Sequence, residues 1–125
     1  MATNPIFFEE FGEHLDKIDA WLWGHEHNLA AFAPYLGLER GRCIGSGAIP
    51  VATMWRPYET LPDLAIPDGV DGPPIMMPEV RLGTDGDHYH HAFCLAELNG
   101  PNGEMRYFQV PGVDDDAELI FTEPI

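Results

Sequence analysis

Positive charge, cysteine and long apolar stretches are what this chain has least of. One lysine and five arginines stand against 21 acidic residues in a chain of 125, a formal net charge of -15 at pH 7. Such a surface repels nucleic-acid phosphates and anionic lipid, which excludes DNA, RNA and membrane surfaces as principal partners. Cys43 and Cys94 are the only thiols. They lack CxxC spacing and have apolar or small neighbours, so they read as buried structural thiols, and no covalent catalysis is assigned to them. No apolar run reaches membrane-spanning length, and the polar start Met1-Ala2-Thr3-Asn4-Pro5 is no signal peptide. The default compartment is the cytoplasm, with both thiols reduced.

What the chain does have is a 45% apolar fraction, enough for one modest core. Residues 1–125 are therefore expected to form a single domain. Its many carboxylates could hold divalent cations loosely, but carboxylates are also the commonest solubilising residues, so charge alone makes no metal protein.

Thr3 or Asn4 can cap a helix with Pro5 in its first turn, and Phe7, Phe8, Phe11, Leu15 and Ile18 recur at helical spacing, which predicts an amphipathic helix to about Lys17. Asp19 to Trp23 is a short apolar and aromatic run ending at Gly24, which suits a buried strand feeding a loop. Leu29–Leu36 and Gly41–Val51 suit two further strands around a turn at Gly37–Gly41, the second ending in a glycine-rich stretch built for close backbone approach. Residues 57–78, rich in Pro, Gly and Asp, read as a long surface excursion. Beyond them, Glu79–Leu82, His88–Leu98, Glu104–Val110 and Ala117–Thr122, separated by turns at Asp85–Asp87 and Asn99–Gly103, predict an antiparallel meander. The fold class expected is α+β, mainly antiparallel β.

The chemistry-bearing pattern is His25-Glu26-His27. On an extended strand end, alternation would turn both imidazoles to one side, and neutral imidazole is a common ligand for zinc, iron, nickel and manganese. A bare HxH is a weak signal in a chain with six histidines. Its setting is more specific. Asp19-Ala20-Trp21-Leu22-Trp23-Gly24-His25-Glu26-His27-Asn28-Leu29, an apolar strand running into Gly-His-x-His, resembles the last signature motif of the calcineurin-like metallophosphoesterases. Gly45-Ser46-Gly47-Ala48-Ile49-Pro50-Val51 is similar to the glycine-rich strand end that follows there, and Val80–Gly83 and His88–Leu98 are similar to that family's closing strands.

The resemblance implies the C-terminal half of an αββα sandwich and a dinuclear centre that hydrolyses phosphate esters, with two divalent cations of Mn, Fe or Zn per complete site. His25 and His27 would each ligate one ion, Gly24 would let the loop come close, Glu26 would point away and Asn28 would orient an imidazole from behind. Two cations about 4 Å apart can activate a bridging water and stabilise charge on phosphoryl oxygens. The family's earlier motifs, an Asp-x-His, a Gly-Asp-x-x-Asp and a Gly-Asn-His followed by Asp or Glu, do not occur in the chain. His14, in the predicted helix, is not given the role of the family's upstream histidine ligand. The chain thus reads as part of a catalytic domain, weak or inactive alone, whose centre needs a complementing chain or self-association. Trp21, Trp23 and Phe32 are candidates for the apolar face such a partner would cover.

The alternative reading is a non-catalytic β-rich protein-interaction module with structural histidines. A cupin-like barrel would gather His25, His27, His88, His90 and Glu97, but the glutamate expected soon after its HxH is absent, Glu39 being too distant. His88, His90 and His91 form a second histidine cluster that ordinary strand packing accounts for. Gly45-Ser46-Gly47 lacks the Lys-Ser or Lys-Thr of a phosphate cradle, and Asp114-Asp115-Asp116 reads as a solvated loop.

Overall fold

The computed structural model describes residues 5–59, 66 and 68–125. Pro5 opens α1 (Pro5–Phe11); the expected caps, Thr3 and Asn4, lie outside the described residues. The helix was expected to continue to Lys17. Instead Gly12, the poorest helix former after proline, ends the α geometry, and Gly12–Lys17 tightens into a 3-10 helix that buries Leu15. The rings of Phe7 and Phe11 lie 4.5 and 5.7 Å from Trp21, and Phe8 lies 5.8 Å from Tyr35. Aromatic contact thus seats the helical segment on the first sheet.

That sheet holds β1 (Trp21–Trp23), β2 (Leu29–Phe32) and β3 (Gly41–Ile44) in the order β1-β3-β2, with β1 parallel and β2 antiparallel to β3. β2 stops short of the expected Leu36. Pro34 cannot donate to a ladder, and Leu36 and Gly37 take positive φ of 53° and 87° in a two-residue turn closed by reciprocal 3.0 Å bonds between Tyr35 and Leu38. The outer edge of β2 is covered by the end of the 57–78 excursion: Ala33 N–H donates to Ile75 O at 2.9 Å and Met77 N–H to Ala31 O at 2.8 Å. Residues 60–65 and 67 of that excursion lie outside the described residues.

A small hairpin, β4 (Thr84–Asp85) with β5 (His88–Tyr89), leads into the second sheet. There β6 (His91–Asn99), β7 (Asn102–Val110) and β8 (Glu118–Pro124) form three strands of the antiparallel meander expected from alternation and turn residues, whereas Glu79–Leu82, expected as its first strand, is turn and irregular chain, and the expected His88–Leu98 run is broken at His90. Gly100, at φ 60°, and Pro101 make the turn between Asn99 and Asn102. The described chain is a β-rich α+β fold with mostly antiparallel pairing. No helix among the described residues is long and apolar enough to cross a membrane.

Leu29, Ala31 and Ile44 of the first sheet pack with Ala92, Met105 and Tyr107 of the second, with Val80 and Leu82 filling the seam. The first sheet's other face carries a smaller cluster of Ala30, Phe32 and Cys43 against Trp23 and Met76. Between the sheets lies a buried ion pair. Arg42 donates through Nε and Nη2 to the two Glu123 carboxylate oxygens at 2.7 and 2.6 Å, and through Nη1 to the carbonyls of Phe32 and Gly41 at 2.8 Å. Tyr107 donates its hydroxyl to Glu123 at 2.6 Å, and Arg40 lies 3.8 Å away. Burial alone would push the Glu123 carboxyl up, but the hydrogen bonds from Arg42 and Tyr107 and the charges of Arg42 and Arg40 outweigh it and hold Glu123 below the usual carboxylate range.

Candidate functional site

β1 ends at Trp23, and the next five residues turn twice. Glu26 N–H donates to Gly24 O at 3.0 Å and Asn28 N–H to Glu26 O at 2.7 Å. Each bond closes a three-residue γ-turn, the first centred on His25 and the second on His27. His25 has φ of 72°, the left-handed region that a side-chain-bearing residue enters at a cost. The backbone here is not extended, so strand alternation does not carry past Trp23, and the two turns decide where the imidazoles go. His25 is exposed and His27 half-buried. Neither ring has a hydrogen bond or ion pair among the described residues.

The loop is fixed from below by Gly45. A Cβ at this position would stand 2.0 Å from Glu26 O and 3.0 Å from its carbonyl carbon, so the histidine loop can pack here only on glycine. Gly45 N–H also donates to Asn28 O at 3.0 Å. This contact ends β3 at Ile44, well before the expected Val51, and it is the close backbone approach foreseen for the glycine-rich stretch. At Gly24 an added Cβ would meet only ordinary contact, 3.9 Å from Gly45 Cα. The close approach thus belongs to Gly45 more than to Gly24.

Glu26, exposed, folds back along the loop: its carboxylate accepts the Trp23 indole N–H at 2.9 Å. Cys43 lies beneath, its thiol 3.4 Å from Asn28 O and 3.5 Å from Glu26 O. Burial pushes the Cys43 thiol up to about 11, the carboxylate of Glu26 adds to the rise, and hydrogen bonds at Gly45 and Asn28 oppose it. At neutral pH the group is a buried thiol, inert as a nucleophile. Burial likewise raises Cys94.

Asn28 is 4% exposed and its Oδ1 has no partner, so its side-chain oxygen does not orient an imidazole here. Ser46 Oγ, 2% exposed, and His91 Nδ1 are likewise buried without a partner. The carbonyls of Asn28 and Ser46 are tied, accepting from Gly45 N–H at 3.0 Å and from Ala92 N–H at 3.3 Å.

The other histidines go elsewhere. His88 bridges Ala52, and His90 Nδ1 lies 3.3 Å from Gln109 Oε1. Gln109 Nε2 donates to Glu118 at 2.7 Å, which leaves Oε1 to accept from Gly83 N–H at 2.8 Å and from His90. Nδ1 of His90 is therefore the donor and carries the proton. Glu97 pairs with Arg106 at 2.5 Å on an exposed strand face. Among the described residues no three His, Cys, Asp or Glu side chains come together as a metal-ligand group, so His25, His27, His88, His90 and Glu97 do not assemble as a cupin centre would require.

Sequence reading assigned no role to Gln109 or Glu118, and no local signal marks them, since Gln109 meets its partners only through the register of β7 with its neighbours. No family model, no curated protein and no solved structure matches the chain.

The left-handed residue offers a direct check on whether the loop is kept for stability or for its histidines. Glycine at position 25 relieves the φ cost, so His25→Gly is expected to raise unfolding free energy by about 1 kcal/mol in urea titration. A loss of stability instead would mean that the His25 side chain packs productively.

Proposed function

We propose that the Gly24–Asn28 loop is part of a divalent-metal centre, in the manner of the calcineurin-like metallophosphoesterases whose closing motif and αββα half-sandwich it resembles, and that the complete centre hydrolyses phosphate esters. The observation that carries this reading is the pair of unpartnered imidazoles, His25 and His27, presented by two consecutive γ-turns, one at positive φ and locked by Gly45. Backbone held at a cost, with ligand-type side chains left free of internal partners, is the arrangement of a site kept for something outside the fold.

Two neutral donors fit one part of such a centre and leave the rest to carboxylates and further histidines supplied by another polypeptide or segment. The cations, Mn, Fe or Zn, would lower the pKa of water and stabilise charge on phosphoryl oxygens. This chain's contribution is to hold its two imidazoles in place, with Glu26 drawn off toward Trp23. The expected behaviour alone is weak metal uptake with little or no phosphatase turnover.

The test is metal content of the chelator-stripped chain after reconstitution with Mn, Fe or Zn in turn. Uptake is expected in the wild type and a fall of tenfold or more in apparent affinity in the His25→Ala/His27→Ala double variant, with the unfolding midpoint near its original value. Equal uptake by the double variant would sink the assignment.

A second reading, a β-rich protein-interaction module, is supported by a separate feature: β1 has β3 as its only hydrogen-bonded neighbour among the described residues.

A further inference from the structure

β1 is an open edge beside a groove. Trp21 N–H donates to Arg40 O at 2.8 Å, so Trp21 and Trp23 face β3, and alternation turns the N–H and C=O of Leu22 away from the sheet. No bond among the described residues takes up those two groups. Next to them runs a groove of about 500 Å³ between β1 and the tip of the β6–β7 hairpin, lined by Asp19, Leu22, Ala96, Leu98, Met105 and Ile125 among others. Leu22 is 42% exposed and Leu98 77%. Apolar walls beside an unpaired strand edge are the two elements of β-strand addition, where main-chain bonds give affinity and alternate side chains fill the groove.

The charge decides the occupant. Asp19 is the one charged side chain lining the groove; it is exposed, its backbone carbonyl accepts from Arg40 Nη1 at 3.3 Å, and its carboxylate has no ion pair among the described residues. Two chains each carrying -15 repel one another, as would an acidic peptide. We infer that β1 receives an extended segment of a basic partner protein, which adds as a strand at Leu22, lays alternate apolar side chains against Leu22 and Leu98, and sets a lysine or arginine against Asp19. Such a strand would lie beside the loop that carries His25 and His27. The proposal shares with the metal reading only the need for a partner, and it is tested on metal-free protein, so the failure of one is distinguishable from the failure of the other.

Random ten-residue peptides displayed on phage are selected against the metal-free chain, and enriched sequences are synthesised and titrated. Enriched peptides are expected to be cationic with alternating apolar residues. Leu22→Pro removes the outward N–H while sparing the β1–β3 bonds, and should weaken binding about tenfold, the value of one to two hydrogen bonds. Leu22→Ala, which keeps the N–H, should weaken it less, and Asp19→Asn should flatten its salt dependence. In the wild type, with no substitution, peptide addition should slow hydrogen exchange of the Leu22 amide. Acidic or unenriched selections, a Leu22 amide already protected in the free chain, unchanged affinity in Leu22→Pro, or a dimeric mass at micromolar concentration would each overturn the proposal.

Discussion

Arg42→Met is expected to cost about 3–5 kcal/mol, the usual penalty for removing one partner of a buried ion pair and stranding the other. Small domains are stable by only about 5–15 kcal/mol, so this one change removes a large share of the total. The reason is local: without Arg42, the Glu123 carboxylate keeps only Tyr107 as a close donor, and the carbonyls of Phe32 and Gly41 lose the guanidinium donor that supplements their ladder pairing. Converting the partner too, as Arg42→Met/Glu123→Leu, should restore at least half of the loss, because an apolar pair of similar volume needs no compensating charge. Urea titration of both variants decides it. A single variant within 1 kcal/mol of wild type would show that the bridge is not a main tie between the sheets.

The same bridge sets an acid limit. The folded-state pKa of Glu123 lies below its ordinary value near 4.5, so between the two values the unfolded chain binds more protons than the folded one. The stabilisation is complete above the ordinary value and is lost as pH falls through the lower, folded one. Subtracting the pH profile of Glu123→Gln from that of the wild type should isolate this loss on the acid side of pH 4.5. A flat difference across that range would count against the pairing.

Gly45→Ala is the second large effect. Its Cβ would stand 2.0 Å from the Glu26 carbonyl oxygen, a backbone atom that cannot rotate aside, so the loop must lift or β3 must bend. Overpacking of this kind costs roughly 1–3 kcal/mol. In the metal reading the displacement also carries His25 and His27 out of place, so Gly45→Ala should cut metal uptake as the histidine double variant does. Gly24→Ala, where the space is open, should leave stability within about 1 kcal/mol of wild type, the ordinary scale for glycine-to-alanine changes. If Gly45→Ala proved no worse than Gly24→Ala in stability and uptake, the loop would not depend on Gly45.

What could be read in the sequence follows the range of the forces involved. The β6–β7–β8 meander was legible because alternation and the Gly100-Pro101 turn act over a few residues. So were the burial of Cys43 and the strand that ends before Gly24, although that strand is an edge with Leu22 exposed and not the buried strand expected from its apolar run. The early end of the helix at Gly12 and of β2 at Phe32 show helical and strand patterns yielding to single residues, Gly12 and Pro34, that the wider pattern had outvoted. Gly45 stood inside a stretch already singled out for close approach, but its opposite number, the Glu26 carbonyl, belongs to no motif. The positive φ of His25 was invisible, since histidine has no general demand for the left-handed region. Arg42 sits in the apolar run Gly41–Ile44 and nothing nearby explains a charge there; its explanation, Glu123, is 81 residues away.

That separation bears on the order of assembly. Closing a loop of 81 residues costs on the order of 4 kcal/mol of chain entropy, so the Arg42–Glu123 contact cannot begin folding. The β6–β7 hairpin, whose innermost pair Asn99–Asn102 is nearly adjacent in sequence, can. In pulse-labelled refolding, amides of residues 91–124 are accordingly expected to gain protection before those of Leu29–Ile44. The ion pair then acts as a late latch, and the histidine loop, which leans on β3 through Gly45, takes its final shape only once that latch has closed.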